Sequence, residues 1–285
     1  MATNANAEAT EAWDGPLFDR FTQFRHILID GLANHGEKAL AIYPPPAGAQ
    51  VLDIGCGFGD TTARIAGLVG PEGHAHGVDV APRFIESANE EFKLPNTSFA
   101  VADVQFDDLG GPYDYVFSRF GVMFFDNPGA AMRNIRRSMA PGARLVVVVW
   151  RIREDNAWLY EAQQLVEGMI GRPAEYDEPT CGPGPFSLSG ADTTSGILVG
   201  AGFTDVSLTR NDMPILIGRD VDEAIELMMA LGPAGEMVRL WGDRQAHRHD
   251  EIRAGLTDTL QKLRTDAGVE GMASTWIVSA TSPGV

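Results

Sequence analysis

From Gln50 to Trp150 the chain alternates short β-rich runs with stretches of helical spacing, and this rhythm constrains the fold more than any other feature. The runs are VLDIG, HAHGVDV, TSFAVADV, YDYVFSRF and ARLVVVVW. Leu145 to Trp150 is apolar without interruption, as a strand buried on both faces has to be. Such strands separated by helices predict a parallel sheet covered on both sides. Helices are expected from about Thr61, from about Pro82, and after Asn127-Pro128, an N-cap and first-turn pair. In that last helix Met132, Ile135 and Met139 form the core face and Pro141-Gly142 the stop.

The flanks read differently. Phe18, Phe21, Phe24, Ile27, Leu28 and Leu32 recur at helical spacing, a second helix is expected to run to Ile42, and Pro44-Pro45-Pro46 forces an extended lead-in. Beyond Trp150 a helix is expected over Asn156 to Met169, then a Gly/Pro-rich loop over 171–186 that ends in CGPGPF. A helix ending near Gly200-Ala201-Gly202 and a strand over Phe203 to Thr209, extendable to Ile217, resume the pattern. Asp220 and Glu223 resemble a capping box for a helix carrying Val221, Ala224, Ile225, Met228 and Leu231. Ile252, Leu256, Leu260 and Leu263 mark another helix, and TWIVSA a final strand. The expected architecture is one α/β domain over 1–285, doubly wound and Rossmann-like, with a seven-stranded mostly parallel sheet and helices on both faces. Its parts are an N-terminal helical segment (14–43), a core (46–150), cap insertions (151–188 and 218–270) and remaining core elements (189–217 and 271–282).

Composition narrows the partners. Lys+Arg number 22 against 39 Asp+Glu, a formal charge of -17 that repels polyanions and disfavours a nucleic-acid surface. Cys56 and Cys181 lack metal-ligand spacing, and so sparse a set fits a reducing, cytoplasmic location. MATNANAEATEAW has neither a basic start nor an apolar run, so no targeting segment is read, and no membrane insertion is expected. The expected partner is a small-molecule substrate, with a homodimer left open.

In VLDIGCGFGD an apolar strand ends at Asp53, and Gly55, Gly57 and Gly59 lead into a helix. Glycine lets the backbone approach a ligand closely and adopt conformations closed to other residues. Two further acids, Asp79 in HGVDV and Asp103 in VADV, follow the next strands. In an open parallel sheet that edge is where ligands bind. The series resembles the class I S-adenosylmethionine (SAM) dependent methyltransferases, in particular the small-molecule enzymes related to quinone biosynthesis. The likeness implies SAM as cofactor, with Asp53 and the glycines beside its methionine portion, Asp79 on the ribose hydroxyls and Asp103 on the adenine amino group. Cys56, Thr61, Val80 and Val104 fall in the same cofactor-binding segments. Each acid has an ordinary alternative as a turn or helix-cap residue.

Asp79 lies about 20 residues past the glycine turn, as the ribose acid of an NAD-dependent oxidoreductase would. The turn itself reads G-C-G-F-G rather than G-x-G-x-x-G, and Asp60 puts negative charge where a pyrophosphate needs donors. A SAM-binding protein that acts through a partner without catalysis is a further alternative.

After the fourth strand, Ser118-Arg119-Phe120-Gly121 departs from the Asn/Asp-Pro-Pro-Tyr-like motif of amino-group nucleic-acid methyltransferases. In the family this segment runs along the cofactor and faces the acceptor, so Ser118, Arg119 and Phe120 are site candidates. Trp13, Phe18, Phe124 and Trp150 are candidate contacts of cofactor or substrate, since an aromatic face attracts a sulfonium. Trp13-Asp14-Gly15-Pro16 resembles a segment that folds over SAM in related enzymes. The charged turn Arg151 to Asp155 is read first as solvated, His26 and His35 as solvated or packed, and His74, His76, His247 and His249 as surface residues. No catalytic base and no metal ligand is nominated.

Overall fold

A computed structural model describes residues 7–173, 176, 183–242 and 247–284. The five core runs form β1 (Gln50–Ile54), β2 (His74–Asp79), β3 (Thr97–Val101), β4 (Tyr113–Arg119) and β5 (Met139–Trp150), paired in parallel. The sheet order is β3-β2-β1-β4-β5-β8-β6. β8 (Gly268–Thr281) is antiparallel to both β5 and β6 (Thr204–Gly218). The seven expected strands are present, and a two-residue β7 (Arg264–Thr265) on β8 adds an eighth. From β1 the chain builds outward through β2 and β3, then returns to β4 on the other side of β1. The order therefore reverses between β1 and β4, which opens a crevice at the strands' carboxyl ends.

The uninterrupted apolar runs supply two cores at once, because successive strand side chains face opposite ways. Leu52, Ile54, Leu145, Val147 and Val149 pack with Met132 and Ile135 of α6 (Pro128–Arg137) and Leu198 of α8 (Ala191–Gly200). Val51, Val146 and Val148 pack instead with Ala39 and Leu40 of α3 (Arg25–Ile42) and Ile65 and Val69 of α4 (Asp60–Val69). A third core forms the cap. There α7 (Ala157–Ile170), α9 (Val221–Leu231), α10 (Pro233–Trp241) and α11 (His249–Leu260) meet Ile215, Ile217, Val269 and Ala273 of β6 and β8. TWIVSA is thus the end of a much longer strand, whose earlier half carries the cap on the sheet.

Local chemistry explains where elements begin and end. Asn127 caps α6, its side-chain oxygen accepting from the Ala130 N–H at 3.0 Å. That helix stops at Arg137, short of Pro141, and Met139 is buried as the first residue of β5 opposite Tyr113. Asp220 caps α9 through the Glu223 N–H at 2.9 Å, but Glu223 reaches one residue further back than a capping box requires. Its carboxylate accepts from the Arg219 N–H at 2.7 Å and from the Arg219 side chain, which holds its pKa down to about 2.

The N-terminal stripe is two helices broken at Phe24, α2 (Phe18–Gln23) and α3, rather than one running past Leu32. Phe18 and Phe21 pack on Phe84, whereas Phe24 is 2% exposed in the cap core. One straight helix could not serve both cores. Among the described residues no helix is long and apolar enough to cross a membrane.

Candidate cofactor and acceptor site

Gly55, Gly57 and Gly59 all adopt left-handed backbone conformations, at φ of +64°, +53° and +86°. The Gly55 and Cys56 N–H groups both donate to the Val78 carbonyl, at 2.8 and 3.1 Å, and tie the turn to β2. Close approach adds a second demand at Gly55, where a Cβ would lie 2.7 Å from the Cα of Gly121. A Cβ on Gly121 would in turn meet the Ile54 carbonyl oxygen at 2.7 Å. Two glycine backbones, one after β1 and one after β4, therefore press together at the switch point. In the sequence Gly121 is marked only by its place just past the strand that neighbours the glycine turn.

Asp79 braces the same turn. One carboxylate oxygen accepts from the Gly57 N–H and the other from the Ala81 N–H, both at 3.0 Å. Burial pushes its carboxyl upward, against the lowering effect of these backbone donors. Asp103 accepts from the Gln105 N–H at 3.0 Å. Both acids line a cavity of about 620 Å³ that also touches Gly55, Cys56, Gly57, Val80, Val104, Arg119, Phe120, Trp13, Phe124 and Trp150. Its far wall is made by the cap and α3: Leu28, Leu32, Trp158, Leu227, Met228 and Leu231. The convergence of these six depends on how the cap lies on the sheet, which spacing along the sequence does not show.

Five nominated residues stand outside the cavity lining. Asp53 shares the strand face of Val51 and is 1% exposed beneath the turn, where it accepts from the Thr62 hydroxyl at 2.6 Å. Burial raises its carboxyl to about 7, with Thr62 and Arg119 pulling the other way. Gly59 is a packing position, since a Cβ there would lie 2.9 Å from Ala88 and Phe99. Thr61 is buried in the first turn of α4, and Ser118 is buried with its hydroxyl donating to the Ile54 carbonyl at 2.7 Å. Phe18 packs on Phe84 with ring centroids 4.8 Å apart. Alternation along a strand sends neighbouring side chains to opposite faces, so membership of a motif does not place a side chain in the groove.

The N-terminal segment does lie over the groove. Asp14 accepts from the Arg83 N–H at 2.8 Å, and Trp13 packs edge-on against Phe124 at 4.8 Å. On the opposite wall Phe120 stacks on Trp150, with centroids 4.7 Å apart and planes 28° from parallel. Phe120 holds a left-handed φ of 61°, strain of roughly 1 to 3 kcal/mol that its N–H bond to the Val148 carbonyl helps to fix. Arg119 pairs with Asp60 at 2.8 Å at the cavity edge. Arg153 lines the cavity and donates to Gln163 and Tyr176 at 2.8 and 2.9 Å, so this part of the charged turn is a wall and not a solvated loop.

His35 is fully buried behind Phe120 and Trp150, with Nδ1 2.9 Å from Asn211 Nδ2 and 3.0 Å from the Thr275 hydroxyl. Burial, reinforced by Arg119, lowers its pKa from 6.5 to about 4, so it is a neutral packing residue. The unfolded chain binds the extra proton between pH 6.5 and 4, and stability is lost as pH falls through that window. The full shift is worth about 3 kcal/mol. His35→Gln is expected to flatten the fall in urea midpoint over this range. An unchanged slope would contradict the buried neutral state.

The remaining candidates have structural contacts. His26 sits 3.0 Å from Glu223, while His74 and His76 share the Ser98 hydroxyl at 2.7 and 2.8 Å. Burial pushes the Cys56 thiol well up, so it is no nucleophile, and Cys181 lies outside the described residues. Among the described residues no group of three or more His, Cys, Asp or Glu side chains is placed to hold a metal.

The chain is similar to known proteins in sequence and in fold. A model of the methyltransferase domain matches residues 51–142. Aklanonic acid methyltransferase DauC of a Streptomyces species is 32% identical over 204 residues, which cover 58% of this chain and 90% of DauC. The chain belongs to the class I SAM-dependent methyltransferases. The 2-phytyl-1,4-naphtoquinone methyltransferase of Nostoc punctiforme is 29% identical over 134 residues, 45% of this chain and 58% of that protein. Among solved structures, phosphoethanolamine N-methyltransferase 2 of Haemonchus contortus shares the fold at a TM-score of 0.56 and 15% identity, over 100% of this chain and 62% of that one. Membership makes SAM the cofactor and methyl transfer the reaction, in place of hydride transfer with NAD.

Proposed function

We propose that the sheet side of the cavity holds SAM and the cap side an apolar small-molecule acceptor, with the methyl group passing between them. The observation that carries this reading is continuity: one cavity joins Asp79, Asp103 and the Gly55–Gly57 backbone to the apolar wall of α3, α7 and α9. Its volume of about 620 Å³ lies inside the roughly 300 to 1,000 Å³ of small-molecule sites. Asp79 has acceptor capacity beyond its two backbone donors, which suits the ribose hydroxyls, and Asp103 suits the adenine amino group. Gly55, Cys56 and Gly57 give the methionine portion a close backbone wall. Val80 and Val104 flank the adenine, and Trp13 and Phe124 close over the cofactor. Asp53, Gly59, Thr61 and Ser118 hold the turn and strand from behind.

SAM supplies a methyl group already activated by a positive sulfur. An acceptor atom held deprotonated at the cap wall would take the methyl carbon in line as the carbon–sulfur bond broke, the bonding pair leaving on the sulfur of S-adenosylhomocysteine. The protein contributes alignment and exclusion of water, which together can lower a barrier by about 7 to 11 kcal/mol. Phe120 and Trp150 on one side and the cap on the other provide the dry wall. His35, buried behind Phe120 and Trp150 and outside the cavity lining, is not a base for this reaction.

DauC is named for aklanonic acid and the Nostoc protein for 2-phytyl-1,4-naphtoquinone, and likeness to both supports a small-molecule acceptor. The charge of -17 argues against a nucleic-acid acceptor, and the sparse cysteines suit the cytoplasm. Methyl-labelled SAM incubated with a metabolite extract is expected to yield an organic-soluble labelled product with the native chain and none with Asp79→Ala. Tight SAM binding without any transfer would assign the chain to cofactor binding without catalysis.

A further inference from the structure

Four arginines line the described cavity: Arg20, Arg119, Arg153 and Arg239. Three of them have bonded side chains. Arg119 pairs with Asp60 at 2.8 Å, Arg239 with Glu236 at 2.5 Å, and Arg153 donates to Gln163 and Tyr176. Arg20, on α2, makes no side-chain hydrogen bond or ion pair among the described residues. That is unexpected where 39 acids surround 22 basic residues, since a carboxylate partner is easily found. A guanidinium cannot shed its charge at any ordinary pH, and Arg20 is half-buried at the wall of a largely apolar cavity.

Its position on α2 says which half of the cavity it serves. Residues three and four apart share a helix face, which places Arg20 with Leu17 and Phe24. Phe24 belongs to the cap core with Leu28 and Leu32, whereas Phe18 and Phe21 turn toward Phe84 on the cofactor side. A fixed cation also has nothing to offer the positive sulfur of SAM.

We infer that the acceptor is an organic acid, and that Arg20 holds its carboxylate as a recognition handle. This rests on the reading that the cap side of the cavity takes the acceptor. A guanidinium fork binds a carboxylate through two parallel charge-assisted hydrogen bonds, which fixes the orientation of the ligand as well as its affinity. The methionine portion of SAM carries a carboxylate too, so the test has to separate the two sources.

The protein loaded with S-adenosylhomocysteine is titrated calorimetrically with 2-naphthoate, 4-biphenylcarboxylate and octanoate, each against its neutral amide. At least one acid is expected to bind about tenfold or more tighter than its amide. Arg20→Gln should abolish that preference, Arg20→Lys should retain part of it, and the affinity of both variants for S-adenosylhomocysteine should stay within about twofold of the native value. The inference is overturned if no acid is preferred over its amide, or if the preference survives in Arg20→Gln. It is equally overturned if Arg20→Gln loses about tenfold or more in cofactor affinity, which would assign the arginine to the carboxylate of SAM. Failure of the native protein to bind S-adenosylhomocysteine would instead refute the underlying functional reading, and is seen before any acid is added.

Discussion

Asp79→Ala is expected to weaken SAM binding by about 100-fold or more in isothermal titration, with the far-ultraviolet spectrum of the fold unchanged. A hydrogen bond to a charged group contributes roughly 1.5 to 3 kcal/mol, and the proposed ribose contact would give Asp79 two hydroxyls. The substitution also strips the Gly57 and Ala81 N–H groups of their acceptor and so loosens the glycine turn proposed to face the methionine portion. Asp79→Asn keeps the shape and loses the charge, and a loss of about tenfold is expected from it. Because burial raises the carboxyl of Asp79, binding should weaken as pH falls sooner than an ordinary carboxylate would allow. An alanine variant that binds SAM within about threefold of the native chain would remove Asp79 from the site.

The second large effect concerns the glycine contact at the switch point. Gly55→Ala places a side chain at a left-handed φ of +64° and 2.7 Å from the Gly121 Cα. Conformation costs about 1 to 2 kcal/mol and overpacking about 1 to 3 kcal/mol more. The melting temperature should fall by something on the order of 10 °C, and SAM binding should be lost with it. Gly121→Ala isolates the packing part, because Gly121 has an ordinary backbone conformation and a Cβ 2.7 Å from the Ile54 oxygen. Gly48→Ala isolates the conformational part, since Gly48 sits at a φ of +76° in a turn closed by the Ala49 N–H to the Pro46 carbonyl, and nothing lies within 4 Å of the added carbon. Gly55→Ala should exceed both in thermal denaturation. If it falls no further than Gly48→Ala, the close approach carries no energy.

The contrast between these sites shows what was readable before the structure. Asp79 and Asp103 could be placed because each follows a strand at its carboxyl end, and sheet topology alone brings such positions to one groove. The left-handed glycines could be placed because the backbone itself requires them. Asp53 and Ser118 sit in the same motifs yet face away from the cavity. In a sheet buried on both sides, neither face of a strand is marked by polar residues, so the orientation of one side chain in a run such as VLDIG is not written there.

The cap was harder for a related reason. Its helices were legible one by one from their spacing and caps, but Trp158, Leu231 and Arg20 meet in the cavity only because long extensions of β6 and β8 carry α7, α9 and α10 to a particular place. The break at Phe24 belongs to the same class. The spacing of Phe18, Phe21 and Phe24 suits one helix, and only the presence of two separate cores below it forces two.

A SAM site and a dinucleotide site are separated by titrating the native chain with SAM, then repeating the titration with NAD present in excess. The structure predicts saturable binding of one SAM per chain, unaffected by NAD. Displacement of SAM by NAD, or NAD binding in the absence of any SAM binding, would contradict it.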